Sequence, residues 1–185
     1  MNKLKLSLFT YIFFIITGCY DKQGSETKKV QFKSFSVEIP VKWNRIPLKG
    51  IDSQINGILT EKKDTITFDL GMFSSDFSNV INVSNESERK KLDSLGFPTD
   101  EINFSKTPII DKNQGVFHKE YYYYETIGEN IGKIRVPKKA GNGVTGISFR
   151  NINNSKKHLT IYSNNLNYKE QKELIKLFKT IVFNK

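Results

Sequence analysis

Apolar and polar residues alternate through several stretches of this chain, most regularly from Thr65 to Phe73. Ile66, Phe68, Leu70 and Met72 fall on one side of that stretch, and Thr65, Thr67, Asp69 and Gly71 on the other. A period of two belongs to a β-strand with one buried face. The same period is carried by Phe35, Val37 and Ile39 between Ser34, Ser36 and Glu38, just after Val30-Gln31-Phe32. Pro40 stops this first strand, and Trp43, the only tryptophan, is expected to anchor the core where the chain turns. Gln54 to Thr60 and Thr65 to Phe73 read as a hairpin around Glu61-Lys62-Lys63-Asp64. Gly115 to Ile127 reads as a long strand, with further strands at Lys133 to Val136, Thr145 to Phe149 and His158 to Tyr162.

Helical signals are fewer. Asn85 to Leu95 is charged and predicts a short helix with a thin apolar face, ended by Gly96 with Pro98 beyond. Near the C-terminus, Asn167 stands three residues before Glu170, the spacing of a capping box. Leu174, Leu177, Phe178 and Ile181 then follow at i, i+3, i+4 and i+7, one helical face. Thr180-Ile181-Val182-Phe183 is β-branched and aromatic, so the tail also suits a final strand, and Ile181 is shared between the two readings. Residues 74–84 and 99–114 read as irregular. Strands, a helix, strands and a helix in that order predict one α+β domain over residues 30–185, a mainly antiparallel sheet flanked by helices.

Cys19 is the only cysteine in 185 residues, so an intrachain disulfide and thiolate metal sites are ruled out. Its surroundings are informative. Lys3 and Lys5 precede an apolar run from Leu6 to Ile16, followed by Thr17-Gly18-Cys19 and an abrupt change to Tyr20-Asp21-Lys22-Gln23. A charged start, a short apolar core and a small residue at the cut mark a secretory signal. A spanning helix needs about 20 apolar residues, more than this run supplies. Ile16-Thr17-Gly18-Cys19 resembles the bacterial lipobox. The resemblance implies that residues 1–18 are removed and that Cys19 carries diacylglyceryl and N-acyl groups, palmitate among them. More than one acyl chain holds a protein stably on a membrane. Residues 19–29 then read as a flexible tether, and the expected location is the cell envelope. Tyr20 follows the cysteine where an inner-membrane retention aspartate would stand, which favours the outer membrane if the cell has one.

A net charge of +10 raises the question of nucleic acid. The cations are scattered, with dense runs only at Lys28-Lys29, Lys90-Lys91, Lys138-Lys139 and Lys156-Lys157. With an export signal as well, no nucleic-acid partner is expected. Some of this charge suits anionic headgroups.

Phe35-Ser36-Val37-Glu38-Ile39-Pro40 followed by Trp43 resembles the opening of PsbP-like domains. The ending, a helix running into Lys179-Thr180-Ile181-Val182-Phe183, resembles them also. The resemblance covers most of residues 30–183 and implies an α/β/α sandwich around an antiparallel sheet. Members share the fold and little common chemistry; many in bacteria are lipoproteins. No functional residue is carried over.

Catalytic patterns are sparse. Gly141-Asn142-Gly143-Val144-Thr145-Gly146 fits GxGxxG, but a dinucleotide loop must open a helix. The strand-like Ile147-Ser148-Phe149 that follows makes a hairpin turn the expected structure. His118 and His158 lie far apart without the spacing of a zinc motif and read as sheet-face residues. Asp69, Asp76, Glu120 and Glu125 sit in or near strands, yet nothing in their spacing selects a glycosidase pair. Asp64-Thr65-Ile66 and Asp93-Ser94-Leu95 match the O-glycosylation triplet of Bacteroidota, a short and common pattern. No cofactor, metal or catalytic residue is expected.

The best candidate binding surface is Tyr121, Tyr122, Tyr123 and Tyr124 with Arg135, Lys138 and Lys139. In a strand two tyrosines point to each face, and tyrosine and arginine are favoured at interfaces. The leading expectation is a non-enzymatic lipoprotein that binds a protein partner in the envelope or serves as an accessory subunit. An immunity or inhibitor lipoprotein against a toxin or hydrolase is the alternative, and a carboxylate-based hydrolase is the third reading.

Overall fold

The computed structural model describes residues 26–74, 77, 82–96, 102–115 and 120–184. The expected signal, Cys19 and the first part of the tether lie outside the described residues, as do Asp76, Pro98 and His118. The strands are β1 (Thr27–Gln31), β2 (Phe35–Pro40), β3 (Asn44–Pro47), β4 (Gln54–Leu59), β5 (Thr65–Gly71) and β6 (Asn82–Val83) in the first half. They continue as β7 (Asn103–Phe104), β8 (Glu120–Ile127), β9 (Asn130–Pro137), β10 (Val144–Phe149), β11 (His158–Asn164) and β12 (Val182–Phe183). Three helices accompany them: α1 (Glu86–Ser94), α2 (Pro108–Asn113) and α3 (Tyr168–Phe178). The expected α+β class, mainly antiparallel sheet with a few helices, is the class observed.

Seven strands form the large sheet in the order β3-β4-β5-β11-β10-β9-β8, each antiparallel to its neighbours. A small sheet, β1-β2-β12, lies against one of its faces. Between them sits the core. The large sheet contributes Ile58, Ile66, Phe68, Ile134, Ile147, Phe149, Leu159 and Ile161; the small sheet contributes Phe35, Val37 and Ile39. Phe32 stacks on Phe68 with ring centres 4.9 Å apart, and Phe183 meets Phe149 edge-on at 5.1 Å. Leu174, Leu177 and Phe178 bring α3 into the same cluster, and Trp43 is buried in it as expected. Each such side chain contributes about 1.5–3 kcal/mol of burial.

Local chemistry explains several boundaries. The first alternating stretch proves to be two strands, because the Phe32 amide donates to the Phe35 carbonyl at 2.8 Å and closes a turn. β1 then runs back along β2, with Gln31 opposite Ser36 and Thr27 opposite Pro40. Thr27 to Lys29 therefore belong to a sheet ladder and not to a tether. Their polar side chains gave no strand period, but their amides pair regularly with β2. Residues 99–114, expected to be irregular, contain β7 and the short α2 among their described members. β7 pairs in parallel with β6. Met72 leaves the alternation: β5 ends at Gly71, and Met72 is 55% exposed.

Gly141 to Gly143 lie in the hairpin turn between β9 and β10, with φ of 82° at Gly141 and 124° at Gly143, and Val144 to Gly146 already belong to β10, so no helix follows the glycines. Asn151, Asn153 and Asn154 supply left-handed backbone (φ 53°, 50° and 58°) for the β10–β11 connection. Asparagine tolerates that region better than most side chains. On α1, the Asn85 side chain accepts from the Glu88 amide at 3.0 Å, and the Glu88 carboxylate accepts from the Ser84 amide at 2.7 Å. No residue of α1 is buried, in keeping with its thin apolar face. On α3, Asn167 accepts from the Lys169 and Glu170 amides. Glu170 does not complete a capping box by bonding the Asn167 amide; it takes the Asn167 side-chain NH₂ at 2.6 Å and the Lys62 amide at 3.1 Å. Ile181 falls after the helix and before β12, and is buried.

Candidate binding surface

The face of the large sheet away from the core carries polar and aromatic residues. Register sets them in rows. Thr67, Tyr162, Gly146, Arg135 and Tyr122 lie side by side across β5, β11, β10, β9 and β8. Asp69, Thr160, Ser148, Lys133 and Tyr124 form the adjacent row. Alternation along β8 puts Glu120 on this face too.

Glu120, Tyr122 and Arg135 form a network on this face. Arg135 Nη2 donates to Glu120 Oε1 at 2.5 Å, and the Tyr122 hydroxyl donates to Glu120 Oε2 at 3.1 Å. The Glu120 and Arg135 side chains keep only 7% and 13% of their surface in water. Lys133 Nζ donates to the Phe77 carbonyl at 2.8 Å and stands 5.1 Å above the Tyr122 ring. The Phe77 ring rests over Gly146, where a Cβ would come within 2.5 Å of its Cζ. Phe77, Tyr122, Val144 and Tyr162 form a small apolar cluster apart from the main core.

The seven residues expected to make one surface divide between the two faces of β8 and the turn after β9. Tyr122 and Arg135 meet on the polar face, where Tyr122 is buried and Tyr124 is 69% exposed. Tyr121 and Tyr123 point the other way, half exposed at the sheet margin. Burial, and then the Glu125 carboxylate, pushes the Tyr123 phenol above its ordinary value. Lys138 Nζ stands 5.1 Å over the Tyr121 ring. Lys139 is exposed in the glycine turn and touches none of the tyrosines in the described contacts. Tyr121, Tyr123 and Tyr124 are thus exposed on the two sides of an edge strand, with Lys138 over Tyr121, while the Tyr122 and Arg135 side chains are largely buried beside them. From sequence, Glu120 stands out only among the strand carboxylates and Lys133 only as the start of a strand; neither is joined to the tyrosines. Alternation along β8 and β9 was the signal that placed them beside Tyr122 and Arg135.

The carboxylates suggested for hydrolysis do not converge. Strands lie about 4.8 Å apart, so the four strand steps from β5 to β8 separate Asp69 from Glu120 by roughly 19 Å. Asp69 accepts from Ser74 at 3.0 Å, and Glu125 pairs with Lys179 at 3.2 Å. Among the described residues, no three His, Cys, Asp or Glu side chains gather as metal ligands.

A larger hollow of about 440 Å³ lies between the turn after β2, the β4–β5 turn and the first turn of α3. Trp43 and Val41 line it with Lys42, Glu61, Lys62 and Glu170. The Lys42 ammonium, hydrogen-bonded at 3.0 Å, holds the Glu61 carboxyl below its usual value. Asp64 behaves oppositely: burial, then hydrogen bonding with Glu170 and that group's charge, holds its carboxyl above the usual value.

No protein-family model matches this chain, and no curated protein matches it. Among solved structures, the chain is similar to the solution structure of cyanobacterial PsbP (CyanoP) from Synechocystis sp. PCC 6803. The two share 7% identity with a TM-score of 0.41, over 91% of this chain and 99% of that one.

Proposed function

We propose that this chain is an envelope lipoprotein, held on the membrane through Cys19, whose domain binds a protein partner and turns over no substrate. The contact is made by the edge of the large sheet at β8. One observation carries this reading: Tyr121, Tyr123 and Tyr124 keep 46%, 40% and 69% of their surface exposed on a single edge strand. Large aromatic side chains clustered in water are the usual anchors of protein interfaces. The buried Glu120–Arg135–Tyr122 network fixes β8 against β9, so the aromatic edge is presented on a rigid support. Preorganisation of that kind lowers the entropic cost of association.

The test is crosslinked capture from membranes with the full-length tagged, lipidated protein, read by mass spectrometry. Cys19→Ala and a Tyr121→Ser/Tyr124→Ser form run beside it. One dominant partner, lost with the anchor and lost again with the two tyrosines, supports the reading; its identity separates an accessory subunit from an inhibitor. A partner retained by the double-serine form moves the contact away from β8. Absence of any enriched partner sinks the interaction reading.

A further inference from the structure

The large sheet has two edge strands, β3 and β8, and they differ in how their free sides are defended. An edge presents a row of backbone N–H and C=O groups that another strand can pair with. Folded proteins blunt such rows with short strands, charged side chains or proline. β3 has four residues, carries Arg45 and ends at Pro47. β8 has eight residues from Glu120 to Ile127, with no proline, lysine or arginine among them. Its tyrosines, threonine and isoleucine favour extended backbone.

Register shows which backbone groups of β8 face outwards. The Tyr122 amide donates to the Gly115 carbonyl at 2.9 Å, so it points away from β9. Direction alternates along a strand of an antiparallel pair, so the amides and carbonyls of Tyr124 and Thr126 point outwards too. The two-residue turn that joins Ile127 to its partner Asn130 fits the same phase, with Tyr123, Glu125 and Ile127 bonded to β9. Gly115 covers the edge at Tyr122. Among the described residues, no backbone group pairs with the outward side of Tyr124 or Thr126. Both side chains are exposed, and exposed Ile131 stands opposite Thr126 on the same face.

We propose that Tyr124 to Thr126 take an extended segment of a partner protein as an eighth strand of the large sheet. This rests on the reading of β8 as a protein-binding edge and names how the partner is held: main-chain bonds to Tyr124 and Thr126 give affinity, and alternate side chains give choice. The incoming residue beside Tyr124 is β-branched or aromatic, and the one beside Glu125 is not acidic, because like charges opposite one another repel. A second copy of this chain meets that repulsion. Antiparallel self-pairing through both Tyr124 and Thr126 sets Glu125 opposite Glu125. Moving the two-fold axis to Tyr124 sets Thr126 opposite Tyr122, whose amide is already bonded to Gly115.

The test uses the full-length protein in detergent and, as probe, linear peptides selected on it from a displayed random library. Amide hydrogen exchange is read by NMR. In the free protein the Tyr124 and Thr126 amides should exchange about tenfold or more faster than those of Tyr123 and Glu125. Saturating peptide should slow Tyr124 and Thr126 by about tenfold or more and leave Tyr123 and Glu125 unchanged. A contact made by side chains alone does not produce that alternation. Thr126→Pro removes one outward N–H and keeps every tyrosine; it should weaken peptide binding by about tenfold or more, whereas Thr126→Ala should bind like the parent. No selected binder, binders that leave both amides unchanged, or a folded Thr126→Pro that binds like the parent overturns strand addition. If Thr126→Pro fails to fold, the exchange pattern decides alone. Protection of both amides without peptide, rising with protein concentration, gives the edge to a second copy and also overturns it. In the crosslinked capture, a partner lost with Tyr121→Ser/Tyr124→Ser but kept by Thr126→Pro removes strand addition and leaves the interface; absence of any partner removes the interface itself.

Discussion

Arg135 on β9 reaches diagonally to Glu120 on the neighbouring β8, Nη2 to Oε1 at 2.5 Å, and the two side chains keep 13% and 7% of their surface in water. Removing one partner of a buried pair leaves an uncompensated charge, which costs about 3–5 kcal/mol. Arg135→Ala should therefore lower unfolding free energy by about 3 kcal/mol in urea titrations. Glu120→Gln combined with Arg135→Met should lose far less than the sum of the single changes. Additive losses would mean that the two groups do not act as a pair.

Gly146 makes a second, sharper case. A methyl there would lie 2.5 Å from Phe77 Cζ and 2.6 Å from the Ile161 carbonyl oxygen. The ring can turn aside, but the carbonyl belongs to the adjacent strand and cannot. Gly146→Ala should cost about 1–3 kcal/mol, and most of that loss should persist in a Phe77→Ala background. Thermal melts of the four proteins measure it. Full rescue by Phe77→Ala would place the whole clash on the ring.

What could be read from sequence follows the range of the forces involved. Ile66, Phe68 and Leu70 announce their strand because their burial repeats locally, and Asn167 announces α3 because a cap is a local bond. The β1–β2 turn is silent: Phe32 to Phe35 contains no glycine, proline or asparagine, so two strands read as one. The placement of β11 between β5 and β10 comes from long-range pairing that no window of residues contains. For the same reason Tyr122 and Arg135 were both singled out, while Glu120, which joins them, read as a solvated charge. His158 read as a sheet-face residue, and it is one.

The two longer helices should respond oppositely to truncation. Leu177 of α3 is buried in the main core, whereas Leu95, at the C-terminal end of α1, is 63% exposed. Leu177→Ala should cost about 2–5 kcal/mol, and Leu95→Ala should stay within about 0.5 kcal/mol. Urea unfolding by far-UV circular dichroism compares them. A large loss at Leu95 would show α1 to be bound into the core.

Asp64 gives the fold a dependence on pH whose sign is determined by its surroundings. Burial, and then the nearby Glu170 carboxylate, raises its carboxyl above the ordinary value of 3.8. The native state therefore holds the proton more tightly than the unfolded chain does. Between the ordinary and the raised value the unfolded state binds fewer protons, so this group's contribution to stability falls as pH rises. It is most favourable below 3.8, and above the raised value the ionised carboxyl destabilises the fold. Asp64→Asn removes the charge and spares the turn, because Asp64 holds it through backbone atoms: its amide donates to Thr60 Oγ1 at 3.0 Å and its carbonyl accepts from the Thr60 amide at 2.8 Å. Parent and variant should melt together near pH 3, and the variant should become the more stable as the pH approaches about 7. Glu170 faces Asp64 and is part of the measured difference; carboxylates remote from this turn cancel in it. A variant destabilised equally at both pH values would mean that Asp64 serves the turn through its side-chain bonds, with no electrostatic cost relieved.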